Sequence, residues 1–156
     1  MKVKFLVVGK TAFDYLKVGE GIYSERLKHY CNLERVEISD VKNPKNLSQE
    51  EIKRKEADSI LAKLLPTDFV VLLDENGTEM SSVDLANWIE KRMILPQNLV
   101  FIIGGAYGFN SELYNRMNFK MSLSQMTFSH QMVRVIFLEQ LYRAFSIIRG
   151  EPYHHS

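Results

Sequence analysis

Two runs of five consecutive apolar residues constrain the fold of this 156-residue chain more than any other feature. They occupy residues 69–73 (FVVLL) and 99–103 (LVFII), and a helical pattern separates them. A strand with one face in solvent alternates apolar and polar residues, whereas a strand of a parallel sheet covered by helices on both faces is continuously apolar. Both runs are far too short to cross a membrane. The sequence therefore predicts an α/β domain with a largely parallel sheet.

Strand and helix patterns alternate along the rest of the chain, with no repeat and no linker, so we predict one domain over residues 1–156. Ser48 and Glu51 have the spacing of a capping box at the start of a helix. Further strands are predicted at residues 2–8, 33–38 and 119–123. Helices are predicted to begin at Ser48, at Ser81 or Ser82, at Ser111 and at His130. The last of these helices is predicted to end at about Ile148.

Composition and charge exclude several classes of protein. The 20 basic and 19 acidic residues give a net charge of +1, which argues against a protein that coats nucleic acid non-specifically. The single cysteine, Cys31, allows no internal disulfide, and the spacing of the histidines does not match a metal site. The N-terminal apolar stretch is too short for a signal peptide. We expect a cytoplasmic protein with no membrane segment and no metal.

Three unusual loops follow predicted strands, at residues 73–77 (LDENG), 104–108 (GGAYG) and 123–128 (LSQMTF). The carboxyl ends of parallel strands meet at one edge of a sheet, which is where ligands bind in open α/β folds. Each loop also has a simpler interpretation, since Asn76 and Gly77 are typical of a tight turn and glycines often only connect strand to helix. Three such loops at one edge favour a small-molecule site.

The glycine loop does not match the known phosphate-binding motifs. Gly104, Gly105 and Gly108 have neither the spacing of the dinucleotide fingerprint nor that of a Walker loop, and no lysine follows at the required position. A nucleotide-dependent oxidoreductase is therefore a weak hypothesis.

The last helix contains an arginine on its apolar face. Arg134 falls between Leu141 and Phe145 when residues are placed at 100° steps. It either forms a structural ion pair, faces a ligand or a second subunit, or extends its charged end to solvent. Arg143 follows Glu139 by four residues and taken alone is a solvated ion pair. Composition alone makes residues 151–156 a disordered polar terminus.

Six motifs occur in order along the chain: LLDENG (72–77), FIIGGAYG (101–108), SLSQMTFSH (122–130), VRV (133–135), EQLYRA (139–144) and PYH (152–154). Taken together, they resemble one known family, the bacterial large-subunit rRNA pseudouridine methyltransferases (the RlmH family). The resemblance covers essentially the whole chain.

This resemblance implies a SPOUT-class α/β-knot fold, in which a mostly parallel sheet is flanked by helices and the C-terminal part of the chain forms a trefoil knot. It implies a homodimer that uses S-adenosylmethionine to methylate N3 of a pseudouridine in 23S rRNA on the ribosome. No metal is implied. The competing interpretation is a non-catalytic dimeric RNA-binding or ribosome-assembly protein on the same fold, which cofactor binding would distinguish.

The resemblance also assigns site residues. The cofactor contacts carry over to Leu73, Gly104, Gly105, Gly108, Leu123, Ser124, Gln125, Met126, Thr127 and Phe128. The catalytic and RNA-facing residues carry over to His130, Arg134, Tyr142, Arg143, Tyr153 and His154. His154 is the candidate for assisting N3 deprotonation, because histidine ordinarily titrates near neutral pH, and Arg134 and Arg143 would hold phosphate or uracil carbonyls. One departure is His155, where family members commonly end Tyr-His-Arg.

Overall fold

The sheet of the computed structural model, which describes residues 1–155, consists of parallel strands only. Its strands are β1 (Lys2–Val8), β2 (Asn32–Ile38), β3 (Phe69–Glu79), β4 (Leu99–Ile103) and β5 (Phe119–Ser122). They are ordered β2-β1-β4-β3-β5, so the two short or polar strands lie at the edges. Every residue of β4 is buried, as its continuous apolar run predicts. The predicted α/β class with a largely parallel sheet is confirmed.

Helices cover both faces of this sheet. They are α1 (Asp14–Leu27), α2 (Gln49–Leu61), α3 (Ser82–Met93), α4 (Ser111–Arg116) and α5 (Met132–Ile148). Because side chains alternate along a strand, Phe5 joins the core under α1, α3 and α5, while Leu6 joins the core under α2 and α4. The chain is thus a three-layer α/β/α arrangement in which α5 packs against both α1 and α3.

The predicted helix starts agree with the capping contacts. Ser48 accepts a hydrogen bond from the Glu51 amide in a complete capping box, and Ser81 accepts one from the amide of Asp84. The long last helix begins at Met132, two residues after the predicted start. Helix α1 is not among the sequence predictions.

The predicted loop at residues 73–77 is wrong in one respect. These residues lie within β3, whose pairing with β5 shifts between Leu73 and Thr78 and forms a bulge. Gly77 therefore does not form a tight turn. A Cβ atom at Gly77 would lie 2.7 Å from the Lys120 carbonyl oxygen, so glycine is required here by the close approach of two strands.

The remaining fold predictions concern features of the whole chain. The trefoil knot and the extent of the domain stay predictions, and Ser156 lies outside the described residues. Over residues 1–155, no helix combines the length and apolarity needed to cross a membrane. Cys31 is buried, and burial raises the pKa of its thiol to about 11.

Candidate functional site

A cavity of about 520 Å³ lies beside β3, β4 and β5 at the carboxyl edge of the sheet. This volume is within the range of about 300–1,000 Å³ that is usual for small-molecule sites. Nine of the ten residues expected to contact the cofactor line it: Leu73, Gly104, Gly105, Gly108, Leu123, Ser124, Met126, Thr127 and Phe128. Gln125 is exposed and is not part of the lining. The three segments chosen at the strand ends therefore meet at one cavity.

The glycine loop is closed from behind by α2. Gly108 has a φ of +78°, which glycine adopts without strain, and its N–H donates to the Gly105 carbonyl at 3.2 Å. The Gly105 amide donates to the Glu56 carboxylate, and a Cβ atom at Gly105 would lie 2.6 Å from a Glu56 oxygen. Burial and then the charge of Asp40 raise the pKa of Glu56. A side chain at position 105 would therefore have to displace the Glu56 carboxylate, whatever occupies the cavity.

Side-chain hydrogen bonds join the other two segments of the cavity wall. The hydroxyl of Thr127 donates to the Glu75 carboxylate at 2.6 Å, linking the third segment to the first. The Tyr114 hydroxyl donates to Asp74, and burial together with this carboxylate raises the pKa of Tyr114 to about 12. The Ser124 hydroxyl accepts from the Met126 amide at 3.0 Å. The wall is thus fixed before any ligand binds.

His130 lies at the edge of this cavity, just before α5. Burial lowers the pKa of its imidazole, and the neighbouring Arg134 cation lowers it further, while Asp40 acts in the opposite direction. The ring is therefore neutral at neutral pH and can donate and accept hydrogen bonds in the cavity.

Arg134 is completely buried and does not face RNA or solvent. Its guanidinium donates to the carbonyl oxygens of Val8 at 2.6 Å and Gly9 at 3.0 Å, and to the Thr11 hydroxyl at 3.0 Å. Its Nε donates to the His130 carbonyl at 3.2 Å. This corrects the expectation that Arg134 holds phosphate or uracil groups, because three of its four donating contacts join the end of β1 to the start of α5. No carboxylate lies within 4 Å among residues 1–155, so it is not an ion pair either.

The other predicted catalytic residues, Tyr142, Arg143, Tyr153 and His154, lie together in a second group. With Glu139, which was not predicted as a site residue, they form what we call the tail cluster. Arg143 donates to Glu139 through Nε at 3.1 Å and Nη2 at 2.5 Å, and its Nη1 lies 3.0 Å from His154 Nδ1. The Tyr153 hydroxyl donates to Glu139 at 3.0 Å. These contacts order residues 153–154, so the disordered terminus expected from composition alone is wrong for them.

The protonation states in the tail cluster follow from these contacts. Arginine only donates, so His154 Nδ1 must accept, and a neutral His154 ring carries its hydrogen on Nε2. Burial, followed by hydrogen bonds with Tyr23 and Glu139, raises the pKa of Tyr153 well above its usual value, so the phenol stays protonated. The Glu139 carboxylate raises the pKa of Arg143. In this arrangement the tail cluster presents hydrogen-bond donors, while the Nδ1 lone pair of His154 is occupied by the hydrogen bond from Arg143.

The cavity and the tail cluster do not adjoin each other within one chain. Val133 lines the cavity, and Arg143 lies ten residues further along α5. At about 1.5 Å per residue, roughly 15 Å of helix separates them. A reaction that needs both groups therefore needs a second copy of the chain or a large rearrangement.

The sequence predictions missed Glu56, which supports the glycine loop from behind, and they also missed the lining residues Lys53, Tyr114 and Val133. Glu56 lies four residues after Ile52 and four before Ile60, on the buried face of α2. A carboxylate at that spacing is a signal that could have found it, because an acidic residue on an apolar face needs a partner. Within residues 1–155, no group of three or more His, Cys, Asp or Glu side chains is arranged to hold a metal ion.

Comparisons with known proteins identify the family of the chain. The model of a family described as "Predicted SPOUT methyltransferase" matches residues 1–154. Relatives named "Ribosomal RNA large subunit methyltransferase H" from Phocaeicola vulgatus and Christiangramia forsetii are 52% and 51% identical over 156 residues, covering 99% of this chain and of each relative. A solved structure of a probable methylase family protein from Haemophilus influenzae Rd KW20 has a TM-score of 0.51 at 11% identity, covering 99% of this chain and 70% of that one, and is similar in fold alone.

Proposed function

Because this chain belongs to the SPOUT methyltransferase family, we propose that it methylates N3 of a pseudouridine in 23S rRNA on the ribosome. Family membership confirms the resemblance found in the sequence, and it makes the chain a methyltransferase with S-adenosylmethionine as methyl donor. The relatives named as methyltransferases of large-subunit ribosomal RNA support rRNA as the substrate. The cytoplasm, where ribosomes work, is the proposed location.

The observation that carries the proposal is the convergence of three strand-end segments on one cavity. Its chemistry fits S-adenosylmethionine. Apolar side chains such as Leu123 and Ile103 suit an adenine ring, and the backbone of the glycine loop offers polar groups to its edge. The carboxylates of Asp74 and Glu75 suit the positive charges of the donor.

The bound donor supplies a methyl group already activated by its sulfonium charge. The protein then has to hold the target nitrogen in line and remove its proton. We assign the holding role to Arg143, whose Nη groups retain N–H donors beyond those bound to Glu139 and His154. Tyr153 positions Arg143, because the guanidinium lies 4.8 Å from the centre of its ring and both bind Glu139.

His154 is the proposed proton acceptor, and its geometry defines how it becomes one. The Nδ1 lone pair is occupied by Arg143 in the free protein. When Arg143 turns to an RNA phosphate or a uracil carbonyl, that lone pair is released and can take the N3 proton. His130, which lies at the cavity itself, is the alternative acceptor, and burial lowers the pKa of its imidazole.

The site is proposed to be shared between two subunits of a homodimer. The roughly 15 Å of helix between cavity and tail cluster supports this proposal, because a second copy brings the two groups together without a large rearrangement of the chain. Helix α1 offers a surface for the contact, since the side chains of Tyr15, Val18 and Ile22 lie at i, i+3 and i+7 and are 64%, 62% and 46% exposed.

The test of the proposal is transfer of labelled methyl from S-adenosylmethionine to ribosomal particles. Free 23S rRNA, 50S subunits and 70S ribosomes are compared, and the modified nucleoside is identified by mass spectrometry. We expect N3-methylpseudouridine in the particles. A protein that binds S-adenosylmethionine in calorimetry but transfers no methyl group to any of these RNAs would contradict the proposal. A protein that binds the RNA but no cofactor would support the non-catalytic assembly role.

A further inference from the structure

Four tyrosines form one connected surface between the C-terminal parts of α1 and α5. The Tyr142 ring is central, with its centroid 6.1 Å from that of Tyr23, 5.8 Å from that of Tyr30 and 4.6 Å from that of Tyr153. All four rings are half-buried, so each leaves part of its area in solvent. The surface therefore continues the tail cluster away from the cavity and along the helices.

Two exposed arginines lie against these rings. The guanidinium carbon of Arg26 is 5.6 Å from the centroid of Tyr23 and 5.4 Å from that of Tyr142. That of Arg149 is 4.5 Å from the centroid of Tyr30. Among the described residues, neither arginine has a carboxylate oxygen within 4 Å.

The carboxylates around these two arginines are already engaged. Glu139 accepts from Arg143 and Tyr153, and Glu151 accepts from the Tyr30 hydroxyl. Glu25 pairs with the Lys28 ammonium at 2.7 Å. Among the described residues Arg26 and Arg149 therefore have no direct carboxylate partner. Arg149 Nη2 donates to the His29 carbonyl at 3.1 Å, and the remaining N–H groups of both guanidinium groups can still bind an anionic ligand.

This combination of planar cations and tyrosine rings fits RNA. A guanidinium binds phosphate oxygens in a bidentate manner, and RNA-binding proteins stack unpaired bases on aromatic rings or arginine planes. An acidic protein partner would satisfy the charge equally well, but it would leave the aromatic surface without a specific role.

We propose that Arg26 and Arg149 bind the phosphate backbone of the substrate RNA on either side of the target nucleotide, with the tyrosine surface beneath them. The proposal rests on the proposed function, because it takes rRNA as the substrate. It adds residues outside the cavity and the tail cluster, and it places two cations on an aromatic surface that a nearly neutral protein can present to a polyanion.

The alternative is that the stacked arginines only stabilise the fold, and the chain contains a matched control for it. Arg92 lies 3.7 Å from the centroid of Phe69 and 5.3 Å from that of Trp88, and it too has no carboxylate partner within 4 Å in the described part of the chain. It lies in the last turn of α3, beside the first residue of β3 and away from the tyrosine surface. Arg92→Ala removes a comparable contact without touching the proposed RNA surface.

The experiment measures binding of an rRNA stem-loop that contains the target pseudouridine, over a range of salt concentrations, for the wild type and for Arg26→Ala, Arg149→Ala and Arg92→Ala. Each phosphate contact contributes about 0.7–0.9 to the slope of log affinity against log salt. We expect the first two variants each to lose that amount, so that their deficit relative to the wild type shrinks about threefold between about 50 and about 200 mM salt. Arg92→Ala keeps the wild-type slope, and all variants keep the wild-type affinity for S-adenosylmethionine.

Substitution by lysine separates charge from stacking. Arg26→Lys and Arg149→Lys should retain the salt slope, because the charge remains, while affinity at fixed salt falls with the loss of the planar group.

Folded Arg26→Ala and Arg149→Ala proteins with the wild-type slope would overturn the inference, as would a change in the dimer dissociation constant that accounts for the loss of RNA affinity. If the wild type binds this RNA with the predicted arginine dependence but transfers no methyl group, the proposed function fails and the RNA surface stands. If it transfers methyl groups with no arginine dependence, only the inference fails.

Discussion

Replacement of Arg134 by methionine should lower the free energy of unfolding and should not affect methyl transfer directly. The substitution keeps an unbranched chain of similar length in the core but removes all four donating contacts. The carbonyl oxygens of Val8 and Gly9 then stay buried without a side-chain donor. Each such group costs about 1–3 kcal/mol, so we expect a loss of roughly 2–6 kcal/mol in the free energy of unfolding.

This loss is large but tolerable. A typical domain has about 5–15 kcal/mol of stability, so most of that range leaves Arg134→Met folded at room temperature. A loss of about 4 kcal/mol lowers the melting temperature of a chain of this size by roughly 8–16 °C. Differential scanning calorimetry and urea unfolding at equal protomer concentration measure both quantities.

Arg143→Met is the matched control, since it removes a guanidinium from the same helix. Its partner Glu139 is near the surface, and such a pair is worth about 0–1 kcal/mol. We expect a melting temperature within about 4 °C of the wild type together with a loss of methyl transfer. The reasoning is refuted if Arg134→Met has the stability of the wild type, whether or not it also loses methyl transfer as Arg143→Met does.

Three further predictions concern the glycine loop, the carboxylate behind it and the tail. Gly105→Val should abolish S-adenosylmethionine binding in calorimetry while circular dichroism stays close to the wild type, because its side chain collides with Glu56 and displaces the loop; an unchanged affinity would remove this loop from the site. Because the pKa of Glu56 is raised in the folded protein, the protein loses stability as pH rises from the ordinary carboxyl pKa of 4.5 through the raised pKa. Glu56→Gln should flatten this decline in urea unfolding and be at least as stable as the wild type at pH 7. An unchanged pH dependence would contradict the assignment. Deletion of residues 152–156 should leave S-adenosylmethionine affinity and melting temperature nearly unchanged but reduce methyl transfer by about two to four orders of magnitude. His154→Ala should reproduce much of this loss, and His155→Arg should preserve or raise activity. A truncated protein with the wild-type rate would show that the tail has no role.

The strands could be predicted from the sequence because their burial is local information. A continuous apolar run such as LVFII has few alternatives to a buried parallel strand, and once the strands are parallel their carboxyl ends must meet. The location of the cavity follows from that geometry alone. The residues that line it could therefore be predicted without knowing any side-chain contact.

Helix α1 was not predicted because an acidic residue interrupts its buried face between Leu16 and Leu27. The residues that face inward include Glu20, and Gly19 packs against Val135 of α5. Glu20 is satisfied by Thr11 and by Arg35 of β2, partners that come together only after the sheet has formed. A periodicity analysis has no access to such partners, and it therefore finds no helix.

Arg134 shows the same limit at the site. Its position on an apolar helix face was visible, but the carbonyl groups that it binds lie about 125 residues earlier in the chain. The sequence left three roles open, and none of them was a bond to main-chain carbonyls. Composition likewise could not predict that the tail is ordered, because its order depends on the contact between Arg143 and His154.

A mixed-dimer experiment tests the central claim, that cavity and tail act together across two subunits. One protomer carries Gly105→Val with an intact tail, and the other has an intact cavity but lacks residues 152–156. Neither protomer alone should transfer methyl groups to ribosomal particles. After the two are unfolded and refolded together, half of the dimers are mixed and each has one complete site, so we predict about one quarter of the wild-type activity. An inactive mixture, from protomers shown to exchange, would contradict the shared site.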